Sequence, residues 1–219
     1  MVQLPAACIE VGTMLMGEHA NPLREVCMDS FSIGRYEVTF LEYDQFTNET
    51  GRETRNDVGF GREDRPVIDV DWFDALAYAE WLSEKTGKRY RLPTDAEWEY
   101  AAKGNAEFGF RYSWGAQPEE NKANCSNCGS QWSGKLTSPV GSFEANTFGL
   151  HDVHGNVWEW TSDCYLRNDS REVGDNECAG VVRGGSWDVH SDHLVFWLRA
   201  PQLRKRPARD IGFRLVLEH

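Results

Sequence analysis

The chain has 219 residues, of which 40% are hydrophobic and 12% aromatic, with nine Trp and a net charge of −12. That length suffices for one large core, so a single domain over residues 1–216 is the first expectation. The acidic balance disfavours nucleic acid and anionic membranes as partners, and the apolar runs fall far short of a bilayer span.

The chain opens without a charged-then-apolar leader. Residues 11–38 alternate short apolar stretches with Gly, Asn and Pro, the pattern of strands and turns. Thr39-Phe40-Leu41-Glu42 is a capping box, and the helix it opens should stop at Gly51. Asp71 caps a second helix whose apolar positions Trp72, Ala75, Leu76, Ala79 and Leu82 recur at helical spacing up to Gly87. Thr94-Asp95-Ala96-Glu97 is a further capping box and starts a third helix ending near Gly104. Beyond residue 108, Gly, Asn, Ser and Asp dominate and no helical period persists. Short apolar pieces remain at residues 157–160, 180–182 and 213–216. Leu217-Glu218-His219 looks like the start of a vector-encoded histidine tag, which would put the natural end near Val216 and leaves room for a lost signal peptide.

Six cysteines fall as three close pairs: Cys8 with Cys27, Cys125 with Cys128, and Cys164 with Cys178. An even count with local pairing points to disulfides and an extracytoplasmic, oxidising compartment. The rivals are free thiols and, for Cys125-Ser126-Asn127-Cys128, half of a zinc site. No second CxxC or HxxxH supplies the remaining ligands that zinc needs.

Several motifs then coincide in order. They are Tyr36-Glu37-Val38-Thr39, Arg65-Pro66-Val67 with Val70-Asp71-Trp72, and Tyr90-Arg91-Leu92-Pro93-Thr94-Asp95-Ala96-Glu97-Trp98. Next come Gly149-Leu150-His151-Asp152-Val153-His154-Gly155-Asn156-Val157-Trp158-Glu159-Trp160, Arg183-Gly184-Gly185-Ser186-Trp187 and Ile211-Gly212-Phe213-Arg214. Together they resemble the formylglycine-generating enzymes, or sulfatase-modifying factors, over residues 11–216. The resemblance implies an α+β, C-type-lectin-like fold with little regular secondary structure.

In that family a cysteine pair just after the Arg-Gly-Gly-Ser-Trp motif binds copper and oxidises a sulfatase cysteine to formylglycine. Soft thiolates are required for such a metal. Here the two positions fall at Val189 and Leu194, neither of which can hold copper, and no cysteine follows Cys178. A second branch of the family uses non-haem iron and an added helical domain. His190 and His193 lack the carboxylate or third His that would complete a facial triad, and are expected to be loop histidines.

The resemblance also implies structural calcium. The side chains of Asp152 and Glu159, with the carbonyls of Gly155 and Val157, would form one site of hard oxygen donors. A second site would begin at Asn124 and the carbonyl of Cys125. Its acidic partner is missing from residues 131–135, where only Ser133 stands out.

Residues 188–210 differ from the rest of the chain. They hold five basic and three acidic residues, together with His, Phe, Trp and Leu. The intact frame around them resembles the variable proteins of diversity-generating retroelements, which display a randomised C-terminal patch on this fold. The expected contact residues are Val189, His190, Asp192, His193, Phe196, Trp197, Gln202, Arg204, Arg206 and Arg209. The blander alternative puts Phe196 and Trp197 in the core and makes Arg199 and Arg204 to Arg206 a solvated face. The expected function is therefore binding of an unknown ligand, a protein or other macromolecule. An enzyme of the family with different chemistry, or a regulatory module of a larger kinase or protease, are the other two readings.

Overall fold

Capping sets all three helices in the computed structural model, which describes residues 1–12, 23–107, 109–165 and 178–219. Helix α1 (Phe40–Thr50) starts at Thr39, α2 (Trp72–Thr86) at Asp71 and α3 (Asp95–Lys103) at Thr94. In each, the cap side chain accepts the N3 backbone N–H and the N3 carboxylate accepts the cap N–H, so two orphan donors are satisfied at once. Gly51 and Gly87 end α1 and α2 in the left-handed conformation.

The strands among the described residues form three small sheets. The first joins both ends of the chain, in the order β1 (Val2–Leu4), β4 (Phe31–Ile33), β10 (Val216–Leu217) and β5 (Tyr90–Arg91). The residues expected to be a tag thus take part: Leu217 pairs with Ser32 and Tyr90, and Glu218 bonds Arg91 at 2.6 Å. The second sheet is a hairpin of β2 (Ala7–Val11) and β3 (Arg24–Met28), in which Cys8 lies directly opposite Cys27. The third runs β8 (Arg199–Gln202), β7 (Gly180–Arg183), β6 (Trp158–Cys164) and β9 (Ile211–Gly212), with only the β6–β9 pairing parallel. The three disulfides pair Cys8 with Cys27, Cys125 with Cys128, and Cys164 with Cys178, so all six cysteines are spent.

Three apolar clusters fill the interior. One lies between α1, α2 and the third sheet and packs Tyr43, Phe46, Tyr78, Trp160 and Phe213. The second joins Leu4, Phe31, Ile33 and Val216 of the first sheet to Trp98 and Tyr100 of α3. The third surrounds the Cys125–Cys128 disulfide with Tyr112, Ala123, Leu194 and Val195. The buried residues of the third cluster lie outside the helices and strands named above.

Candidate functional site

The segment after β7 starts at a tight corner. Gly184 and Gly185 have φ of +93° and +80°, where L side chains are strained. A Cβ on Gly185 would collide with Leu194 and crowd Val189. The Gly-Gly pair therefore lets the segment fold back on itself and brings Val189 and Leu194 together. Leu194 is 1% exposed and packs in the third cluster, with half-buried Val189 against it. The two positions expected to match the family's thiols are thus apolar neighbours.

The main chain of the segment is held by groups outside it. Ser126 N–H donates to the Val189 carbonyl at 2.8 Å, and Asn127, inside the Cys125–Cys128 loop, accepts the Ser191 N–H at 2.8 Å. Tyr112 Oη donates to the Ser191 carbonyl at 3.1 Å. Arg183 Nη1 donates to the carbonyls of Phe196 and Leu198 at 3.0 and 3.2 Å. Arg183 is itself anchored by Asp95 and, at 2.9 Å, by Glu99, all three being buried.

His154 completes this set. Its Nε2 faces the Ser113 N–H at 3.0 Å, so that nitrogen accepts, and Nδ1 must donate to the Leu194 carbonyl at 2.6 Å. Both nitrogens are used by the neutral ring. Burial lowers its pKa to about 4, which agrees.

The ten expected contact residues divide. His190, Asp192, His193, Arg206 and Arg209 are exposed, while Val189, Trp197 and Gln202 are half-buried. His190 pairs with Asp192 at 3.2 Å and Arg209 with Asp188 at 3.1 Å, both in the open. Phe196 and Arg204 are corrected to the interior, each 6% exposed. Phe196 packs in the second cluster, and the Arg204 guanidinium lies 4.1 Å over the Trp72 ring. Arg199 is also no solvated residue: it pairs with Asp95 at 2.8 Å at the edge of the Arg183 network. Irregular backbone gives no period from which such inward turns could be read.

The loop expected to hold calcium is buried. Asp152, Gly155, Val157 and Glu159 all lie inside, and Gly155 is required because a Cβ there would strike the Asn124 carbonyl. Glu159 accepts Arg214 Nε and Nη2 at 2.6 and 2.7 Å and Trp98 Nε1 at 2.8 Å. Asp152 accepts the Gly141 N–H at 2.6 Å through Oδ2, while its Oδ1 is buried with no hydrogen-bond partner. Glu37, from the Tyr36-to-Thr39 motif, is the residue that sequence reasoning missed. It is 1% exposed and accepts Asn156 Nδ2 at 3.1 Å.

Three carboxylates thus face one guanidinium. Burial, then the repulsion of Asp152 and Glu159, pushes the Glu37 carboxyl well up. Burial pushes Asp152 up to about 6. A hard cation would relieve the excess charge and use the orphaned Asp152 oxygen, whereas both Glu159 oxygens already accept from Arg214 and Trp98. No three His, Cys, Asp or Glu side chains converge on one point among the described residues, and such an ion would rely partly on backbone oxygens.

The second expected site is different. Asn124 is fully buried, donates to the Leu136 carbonyl at 3.0 Å and accepts Ser130 Oγ at 3.4 Å. Hydroxyls and carbonyls satisfy its side chain, and no acidic residue stands in the adjoining 125–135 loop.

Small sheets, three capped helices and long braced loops define an α+β, C-type-lectin-like fold of the formylglycine-generating-enzyme type. Residues 3–219 match the family described as the sulfatase-modifying factor enzyme 1-like domain, and the chain belongs to that family. It is 27% identical to the formylglycine-generating enzyme of Bos taurus, over 100% of this chain and 75% of that protein. Among solved structures it is similar to PvdO from Pseudomonas aeruginosa, with a TM-score of 0.80 and 30% identity over 99% of this chain and 93% of that one. It shares its fold with Treponema denticola variable protein 1, with a TM-score of 0.81 and 23% identity over 100% and 95% of the two chains. No helix among the described residues is long and apolar enough to cross a membrane.

Proposed function

We propose that this protein binds a ligand, a protein or other macromolecule, through the exposed face of residues 188–210, and that it does not oxidise cysteine. One observation carries the reading. The segment's backbone is fixed by Ser126, Asn127, Tyr112, His154 and Arg183, while His190, Asp192, His193, Arg206 and Arg209 face solvent. The backbone of residues 189–198 is thus braced largely from outside the segment, with His190 adding a local cap through its bonds to the Asp192 N–H and Asn127. A braced backbone with solvent-facing side chains is what a recognition surface needs, because little ordering entropy is lost on binding. The family's chemistry needs a thiolate pair, and all six cysteines here are paired elsewhere in disulfides.

The same features support diversification of the segment by a retroelement. Sequencing the gene's neighbourhood tests this: a near-copy of the coding segment beside a reverse-transcriptase gene supports it, and its absence removes it. The enzymatic claim is tested by incubating the protein with copper and a sulfatase-motif peptide. Loss of the peptide thiol with formation of an aldehyde would overturn the binding reading.

Calcium at the Asp152 and Glu159 loop is part of the proposal. Asp152 and Glu159, with Glu37 near them and the Gly155 and Val157 carbonyls, would hold it. The ion would act structurally, by neutralising buried carboxylates under the loops that carry the recognition face. The disulfides further support an oxidising, extracytoplasmic location.

A further inference from the structure

A cleft of about 530 Å³ opens between the β4–α1 connection, α2 and β5, and none of residues 188–210 lines it. Its floor is apolar, formed by Tyr78 and Leu82 of α2, Tyr90 of β5 and Leu215. Its mouth carries Met1, Tyr36 and Leu41, which are 51%, 39% and 63% exposed. These are three of the six large hydrophobic side chains exposed among the described residues. Scattered exposed apolar residues need no explanation, but these three are grouped around one apolar-floored cleft, where a partner would cover them together.

The walls give the partner's charge. Of the charged residues that line it, Glu42, Asp64 and Arg35 are exposed, while Glu37 is buried and bonded inward to Asn156. Glu42 is tied to the start of α1, accepting the Thr39 N–H at 2.9 Å, so its carboxylate is fixed in place. Asp64 stands exposed at the rim.

We infer that this cleft docks a peptide segment of a partner protein in which a bulky apolar side chain is flanked by Lys or Arg. The apolar side chain fills the floor over Tyr78 and Leu82, and the cation meets Glu42 and Asp64. The chain's net charge of −12 steers the same kind of segment over longer range. An anionic lipid surface is disfavoured by the same carboxylates.

The test uses the whole chain and a fluorescein-labelled peptide, Gly-Leu-Lys-Leu-Lys-Gly, read by anisotropy. Two comparison peptides replace Lys by Glu or Leu by Ser. The expected result is saturable binding of the first peptide, weakened about tenfold or more in either comparison peptide and reduced by added salt. The double variant Leu41→Ser, Asp64→Asn should lose about tenfold in affinity with an unchanged melting temperature, since both residues are exposed. The inference is overturned by the absence of saturable binding, by equal binding of the Glu peptide, or by unaltered affinity in the double variant.

Discussion

Arg214 clasps Glu159 with two hydrogen bonds of 2.6 and 2.7 Å, and neither side chain reaches solvent. Arg214 also donates to the carbonyls of Gly34 and His151, at 3.1 and 3.0 Å. It therefore ties the β6 carboxylate to the loops flanking the proposed cation site. Removing one partner of such a pair strands the other, at a cost of about 3–5 kcal/mol. Arg214→Met should meet or exceed that loss in urea denaturation, because Glu37 and Asp152 lose their nearest cation as well. Glu159→Gln keeps an acceptor and lowers the local negative charge, so it should cost less. Equal losses in the two variants would mean that the carboxylate excess has no energetic weight.

Calcium should raise the melting temperature and a chelator should lower it, because an ion bound only by the folded state adds to stability. The effect should depend on pH. The ion needs an ionised Asp152, whose carboxyl is pushed up to about 6 by burial. Calcium binding should therefore weaken as pH falls through about 6, with the melting shift large at neutral pH and small near pH ~5. A shift of the same size at both would remove Asp152 from the site.

His154 makes a second pH prediction, also a loss of stability as pH falls. Its pKa is about 4 in the folded protein against 6.5 normally, so below 6.5 the unfolded chain binds the proton first. The stability this neutral ring contributes is present above pH 6.5 and is lost as pH falls toward 4. Up to about 3 kcal/mol is at stake. His154→Gln can still donate to Leu194 and accept from Ser113 without titrating, so it should show a shallower loss in this window. Asp152 contributes the reverse slope in both proteins and cancels in the comparison. Denaturation curves at several pH values check it, and parallel profiles would contradict it.

Within the recognition segment, stability and binding should separate by residue. Phe196→Ala should cost about 3–5 kcal/mol and Leu194→Ala about 2–5, as core truncations do. Arg204→Ala should also destabilise, through lost packing on Trp72. His193→Ala, Arg206→Glu and Arg209→Glu should each stay within about 0.5 kcal/mol. Thermal melts of the six variants check this division.

That division marks what could and could not be read from the chain. Caps act over three or four residues, so Thr39, Asp71 and Thr94 announced their helices directly. The disulfides were legible because each pair is close in sequence. The buried polar network was not, because its partners are remote: Glu37 meets Asn156 across 119 residues and Arg183 meets Glu99 across 84. Glu37, Arg183 and Arg214 stood in recognisable motifs, yet nothing local signalled that they were buried. For Phe196 and Arg204 the composition of the segment pointed outward, and tertiary packing turned both inward.

The most direct test of the display reading is a combinatorial library. Asp192, His193, Arg206 and Arg209 would be randomised together and melting temperatures measured across unselected clones. Most clones should melt within a few degrees of the parent, because the backbone is held by residues outside the randomised set. Unfolding or a large loss of melting temperature in most clones would show that these side chains are scaffold.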